Sequence, residues 1–550
     1  MKTKLLFVLI LLAQTFYAQE ITGSWKGELD LGGMTLPLIL DVTKENNTYT
    51  STAKSPKQGN QIINVDKTEF INNELVFEMK ALNASYKGQF KTDHFEGTFS
   101  QNSKSFPLNL YKNDGKEKSK PKVLISKDIK KAGINTDKID DFLNYITQNK
   151  EGIGSITLFK DGKEIYQKNF GQDQLPNVKW DSNTGYQIGS VSKLFTAIML
   201  MQLEEKGKLS LNDKLSKYYP DAPNANKITL ENIMNHTSGL GDYAGGWLFG
   251  KSVGDKAILD TIRKHGVEFQ PGERERYSNS GYYLLSRILE DVSKKPYNVL
   301  LKENITSTAN MKNTFSVLDN QKNIFKSYEN TSGKWKEVED FDFRNCIGLG
   351  DITSTTYDLN LFINALFDYK FVKKETLDKM LPKGEKPFGL GIMRAPFYNK
   401  VSYGHGGDTA GTHTLVSYSP TENYSIATVI NGEKLSHGKI FLGIVSLIYD
   451  HEYEYPKFTE LKKATEKELQ KYEGNYYSKE TKLDFKIFIK EEILFAQLTD
   501  QPSFPLEYVE GNKFKYDNAG VEIIFSPENK QLSLIQNGNT LVFDKKYTAK

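Results

Sequence analysis

Between Gly23 and about Lys112 the apolar side chains fall on alternate positions, as in Leu36, Leu38, Leu40 and Val42, and polar clusters such as Glu45-Asn46-Asn47 separate the runs. A period of two matches the pleat of a strand with one buried face, so residues 19–112 are expected to form an antiparallel all-β module. Asn113 to Lys122 contains almost nothing to bury, and its Gly, Pro and Lys content predicts a linker over 113–125. From 126 to 458 the two periods mix. Thr136 to Asn149 and Ser192 to Gly207 read as helices, whereas Ser155 to Phe159 and Lys163 to Phe170 read as strands. Near the far end of this segment Val401 to Tyr403, His413 to Tyr418 and Tyr424 to Ile430 are strand-like, followed by an apolar helix, Lys439 to Tyr449. Strands from both ends are expected to share one sheet, with helices between. Beyond the charged stretch Lys457 to Lys471, alternation returns at Phe485, Ile487 and Ile489 and at Leu532 and Leu534. A second all-β module, a small barrel, is therefore expected over 459–550.

The beginning of the chain departs from both periods. Met1-Lys2-Thr3-Lys4 precedes an apolar run from Leu5 to Ala13, the charged start and short hydrophobic centre of a signal peptide over 1–18, with cleavage expected after Ala18. No run reaches the ~20 apolar residues of a membrane-spanning helix, so an exported protein, periplasmic or secreted, is expected. Composition adds little to this: 72 Lys plus Arg against 69 Asp plus Glu leaves +3, too little to draw the chain to nucleic acid. Cys346 is the single cysteine, so export brings no disulfide framework.

The candidate chemistry lies in the mixed segment. Gly189-Ser190-Val191-Ser192-Lys193 opens an apolar helical run, and at 3.6 residues per turn Ser190 and Lys193 share a face. A helix start points unpaired N–H groups at developing negative charge, and a neighbouring amine takes the hydroxyl proton once it is neutral. That neutrality needs a shift of about 3 units from ~10.4, which burial or a second cation must supply. Ser-x-x-Lys also occurs at Ser51, Ser119 and Ser436, so the spacing alone decides nothing, and the bland reading of Ser190 is a helix cap. Tyr277-Ser278-Asn279 precedes an amphipathic run, Leu284 to Val292. A phenol beside an ammonium is expected to be drawn toward phenolate and to act as a base. His405-Gly406-Gly407-Asp408 is the only His-x-Gly in the chain, and its glycines would let a substrate backbone approach an edge strand.

In this order the three segments resemble the serine β-lactamase, penicillin-binding protein and related esterase family, which carries Ser-x-x-Lys, Tyr-x-Asn and Lys/His-x-Gly. Ile233 to Leu240 (IMNHTSGL), Phe269 to Gly272 (FQPG) and Phe388 to Gly391 (FGLG) agree with it, over about 135–450. The resemblance implies an α+β catalytic domain with an antiparallel sheet flanked by helices, between N- and C-terminal all-β modules, the latter lipocalin-like. It implies an acyl-enzyme on Ser190, proton exchange through Lys193 and Tyr277, and Asn279 holding the substrate amide and Lys193. It also implies that His405, Gly406 and Gly407 line the substrate, with an oxyanion hole from the main-chain N–H of Ser190 and of Asp408. His236 is expected to support the fold. The Asp408 carboxylate and the histidine in place of lysine disfavour a substrate with a free carboxylate. They shift the expectation from a true β-lactamase or DD-carboxypeptidase to an esterase, amidase or D-aminoacyl peptidase acting on a small-molecule or peptide substrate.

Three rivals are weaker. Gly250-Lys251-Ser252-Val253-Gly254 matches a nucleophile elbow but lacks a strand before it. A dead family member that binds glycan or peptide would have no need for intact Ser190, Lys193, Tyr277 and Asn279. The seven histidines show no His-Glu-x-x-His and no Walker loop is present, so neither a metal nor a cofactor is expected.

Overall fold

The computed structural model describes residues 20–546 except 31–34, 47, 57–61, 102–103, 114–133, 176–177, 245–249, 332–333, 452, 459–464, 491, 500–502, 517–519 and 537–538. The expected signal peptide, and the expected linker beyond residue 113, lie outside the described residues.

One unit holds, among the described residues, ten strands between Gly23 and Lys112 in a single antiparallel sheet. Its alternating apolar face is its core: Trp25, Leu38, Leu40, Phe77, Phe95 and Leu110 are all buried. Ser51 points into this core with Ala53, whereas Lys54 points to the other face, as the two-residue period requires.

The second unit contains the mixed segment and the C-terminal strands. Its main sheet runs antiparallel in the order Lys163–Phe170, Gly152–Lys160, Tyr424–Glu433, His413–Ser419, Lys400–Asp408, Met393–Phe397, with Ser327–Thr331 pairing in parallel at the end of Tyr424–Glu433. Strands from both ends of the segment thus meet at the Gly152–Lys160 and Tyr424–Glu433 pair. Helices cover both faces. Thr136–Gln148 and His437–Ile448 pack Phe142, Leu143, Ile440 and Ile444 against Ile156 and Leu158. On the other face Thr356–Phe367 brings Phe362 and Ile363 into a core shared with Val416 and Ala427. Tyr424–Glu433 is consequently covered on both sides and is buried without a break from Tyr424 to Gly432, its apolar residues interspersed with the buried polar Ser425, Thr428 and Asn431.

Behind this layer lies Ser192–Glu205, whose residues Ser192 to Met201 are all buried. A helix that is apolar all round has no solvent face. Phe195 stacks on Phe362 with ring centroids 3.8 Å apart, locking the helix to the sheet-covering layer. Lys193, the one ionisable side chain in the buried stretch Ser192 to Met201, is therefore carried into the protein interior with the helix.

From Gly474 to Lys545 eight strands close into an up-and-down barrel filled by Phe485, Ile487, Phe514, Ile523, Leu532 and Phe543. The molecule is multidomain, an α+β layer of antiparallel sheet and helices accompanied by all-β regions. Among the described residues no helix is long and apolar enough to cross a membrane.

Candidate active site

Ser190 lies in one 3-10 turn, Gly189–Val191, that runs directly into the buried helix rather than on the helix itself. Gly189 at φ +52° makes the turn possible. Lys193, on the first turn of the helix, is fully buried, and its Nζ lies 2.9 Å from Ser190 Oγ and 3.1 Å from the Leu349 carbonyl oxygen. Burial lowers the Lys193 amine to about 7, against the opposing pull of Asp242. The cost of desolvating a cation in the core thus supplies the neutrality the chemistry requires.

The Tyr277 phenol hydrogen-bonds the same Ser190 oxygen, and its ring faces Lys193 Nζ at 4.8 Å from the centroid. Its titration runs opposite to the phenolate expectation. Burial pushes the phenol well up, and the bond to Ser190 only partly offsets it. The physical reason is that the neighbouring amine, itself desolvated, loses its charge before it can stabilise a phenolate. Tyr277 thus keeps its proton at neutral pH, whereas the Lys193 amine is the group of the pair that gives its proton up more readily.

The phrases singled out in the sequence gather around this phenol. The His236 ring stacks on Tyr277 at 4.3 Å, its Nδ1 accepts the Ser278 N–H at 3.3 Å, and its main-chain oxygen accepts the Arg276 N–H at 2.8 Å. Phe388 closes on both rings at 5.1 and 6.0 Å. Gly239 fits because a Cβ there would lie 2.2 Å from the Phe269 carbonyl oxygen. Burial, with Lys193 and His405 nearby, drives His236 well below its ordinary range, so it is a neutral platform.

Asn279 opens the Asn279–Ser293 helix, and its amide Nδ2 donates to Asp242 Oδ2 at 3.0 Å. The expected Asn279 to Lys193 bond is replaced among the described residues by this one, in which the Asp242 side chain is the acceptor for the amide. Asp242 went unnoticed in the sequence. The signal available was an acid inside the glycine-rich loop that follows His236-Thr237-Ser238-Gly239.

His405, Gly406, Gly407 and Asp408 end the strand Lys400–Asp408, which lies directly against the serine turn. A Cβ on Gly407 would sit 2.0 Å from the Ile188 carbonyl oxygen and 2.9 Å from Ser190 N, and one on Gly189 would sit 2.8 Å from Asp408 N. Only glycines allow this approach, and through it the main-chain amides of Ser190 and Asp408 come to one place. His405 is buried, and burial with the Lys193 charge lowers it to about 4. His405 is therefore uncharged at neutral pH.

Asp408, His413 and His437 place donor atoms within 4.8 Å of one another, so by type they could hold a metal ion. The two imidazoles lie face to face, however, at 3.6 Å and 12°, so their nitrogen lone pairs run parallel instead of converging, and both rings already face carboxylates. Ser252 of the rival motif is exposed just ahead of the helix Gly254–His265, far in character from the buried Lys193 environment.

Comparison with known proteins agrees with this geometry. The Beta-lactamase family model matches residues 144–441, just over half of the chain. A Bacillus subtilis (strain 168) protein named as a penicillin-binding protein, PbpX, is 31% identical over 270 residues, covering 48% of this chain and 67% of that one. The teichoic acid D-alanine hydrolase of Staphylococcus aureus (strain MRSA252) is 28% identical over 323 residues, 56% of this chain and 77% of that one. Among solved structures, D-amino acid amidase from Ochrobactrum anthropi SV3 superposes with a TM-score of 0.53 at 22% identity, over 57% of this chain and 99% of that one. With the family model spanning the serine, tyrosine and histidine segments alike, the chain belongs to the β-lactamase family of serine hydrolases.

Proposed function

We propose that this chain hydrolyses esters or amides of an acyl group without a free carboxylate, D-aminoacyl groups foremost, through an acyl-enzyme on Ser190. The observation that carries this reading is the fully buried Lys193 amine 2.9 Å from Ser190 Oγ. In its neutral form the amine takes the Ser190 proton as Oγ attacks the acyl carbon. The oxygen that becomes negative is received by the main-chain N–H of Ser190 and Asp408. Collapse breaks the bond to the leaving alcohol or amine, which takes a proton from Tyr277, and Lys193 returns a proton to the phenol. A water then repeats the sequence on the acyl-enzyme, giving its proton to Lys193 and releasing the acid.

The charges around the serine support the substrate class. His405 and His236 are neutral, Lys193 is half-neutral near pH 7, and the carboxylates of Asp242 and Asp408 stand near the nucleophile. No fixed cation among these groups is placed to hold a substrate carboxylate, whereas Asp242 is placed to attract an ammonium. The names of two relatives, a D-alanine hydrolase and a D-amino acid amidase, fit an aminoacyl substrate. The Leu5–Ala13 run with Lys2 and Lys4 supports action outside the cytoplasm. We also assign residues 459–550, whose strands close on their own core, to a separate C-terminal module.

The test is intact-mass detection of an adduct across D-aminoacyl esters, D-amino-acid amides, N-acyl peptides ending in a free carboxylate, and penicillins. Adducts on the first two groups that vanish in Ser190→Ala are expected. A stable adduct from penicillin with none from the aminoacyl esters would replace this reading with the β-lactamase or DD-carboxypeptidase one.

A further inference from the structure

One cluster of titratable side chains next to the serine is not used by the reaction as described. Asp408 closes its strand, and His413 stands directly across the ladder from it. His413 Nδ1 lies 2.7 Å from Asp408 Oδ1, and Nε2 on the far side of the same ring lies 3.4 Å from Glu433 Oε1. The other Glu433 oxygen accepts the His437 main-chain N–H at 2.8 Å and faces His437 Nδ1 at 3.0 Å. The His437 ring lies flat on that of His413. The four residues come from the end of one strand, the start of the next, the end of a third and the first residue of the helix His437–Ile448.

The position of Asp408 makes this arrangement consequential. An oxyanion donor works by presenting positive charge to an oxygen that becomes negative, and a carboxylate on the same residue opposes it. Left alone, Asp408 would weaken the site its own amide serves. Burial disfavours a charged His413, but the two carboxylates outweigh it and raise the ring to about 9, so it is cationic at neutral pH. Glu433, desolvated but bonded to both histidines, is held down at about 2 and stays anionic.

We propose that His413 is a positioning residue for oxyanion stabilisation: held between Glu433 and Asp408, it offsets the Asp408 charge on the side nearest the serine and fixes the strand end that carries the Asp408 N–H. The assignment rests on the reading of the Ser190 and Asp408 amides as the oxyanion donors.

A charge-removal cycle on the full chain tests it, read as kcat and KM on a neutral ester with melting temperature as a check on folding. His413→Gln should lower kcat by about ten-fold at nearly constant KM, because the bare Asp408 carboxylate opposes the transition state more than the substrate. Removing that carboxylate as well, in Asp408→Asn/His413→Gln, should return kcat to within about three-fold of Asp408→Asn alone, a rescue that a scaffolding histidine would not give. If His413→Gln does not fold, Glu433→Gln reads the same clamp, with a kcat fall of about three-fold that Asp408→Asn again removes. A double variant as slow as His413→Gln, or a His413→Gln as fast as wild type, overturns the proposal. So does activity lost on EDTA treatment and restored by zinc, since a cation would then be what neutralises Asp408. Ser190→Ala is measured alongside. If it still turns over the ester, the catalytic reading falls, and if it is inert while the cycle shows no coupling, only the His413 assignment falls.

Discussion

The same four-residue spacing occurs in two well-described regions of this molecule with opposite results. Ser190 and Lys193 span a 3-10 turn and a helix start, share a face, and meet at 2.9 Å. Ser51 and Lys54 lie on the strand Thr48–Lys54, where an offset of three puts them on opposite faces. Ser51 there shares a hydrogen bond with Thr68 Oγ1 at 2.6 Å, and Lys54, 36% exposed, pairs with Asp41 at 3.2 Å. Ser436 and Lys439 add a third case, at a helix start like the first but with a partly exposed lysine. Ser-x-x-Lys becomes chemistry when the backbone puts both groups on one face and the surrounding core takes water away from the amine.

The largest effect that could break this comparison is at the serines. Ser190→Ala should lower kcat on an ester by about 10⁴-fold or more and abolish labelling by a serine-directed phosphonate, while Ser51→Ala should leave both unchanged. Lys193→Met, which keeps length and burial but removes the base, should cost about 10³-fold in kcat without lowering the melting temperature. Its counterpart Lys54→Met should change stability by less than about 0.5 kcal/mol, since the Asp41 pair is exposed and screened. Gly407→Ala sharpens the point about close approach. Its Cβ would fall 2.0 Å from the Ile188 carbonyl oxygen, so kcat should fall by about 10²-fold or more and chemical denaturation should show a loss of over about 2 kcal/mol.

The role of burial is read most directly in the pH profile. The Lys193 amine is lowered to about 7, so kcat/KM should climb through a limb centred near pH 7 as the amine loses its proton. A limb near pH 10 would mean that the core does not desolvate it. The smallest effect is on stability. His413 is raised from 6.5 to about 9, so the stabilisation it brings is complete below pH 6.5 and is lost as pH rises through about 9. The difference in melting temperature between wild type and His413→Gln should shrink over that interval.

Much of the fold could be read from local pattern. Alternation marked the strands of both all-β regions, and the sharing of one sheet by strands near 155 and 428 followed from their position at the two ends of one segment. The candidate site was legible where its residues stood in phrases, as Ser190, Tyr277 and His405 did, and the structure brings these three together. Asp242, Glu433, His413 and His437 were not, because nothing in their immediate neighbours distinguishes an acid or imidazole that faces a site from one that faces water. The phenolate expected of Tyr277 failed for a related reason: charge state depends on how much water the whole core removes from two groups 84 residues apart in the chain.

What the sequence alone determined was which residues could react and what secondary structure carries them, since periodicity, turn glycines and motif order are local properties. Only the tertiary structure decided which of the matching serines has a lysine whose amine titrates near neutrality, which glycines bring two amides together, and which imidazole is cationic. Those outcomes depend on desolvation and on charges from distant segments, and both come into being only when the sheet, the buried helix and the strand ends pack together.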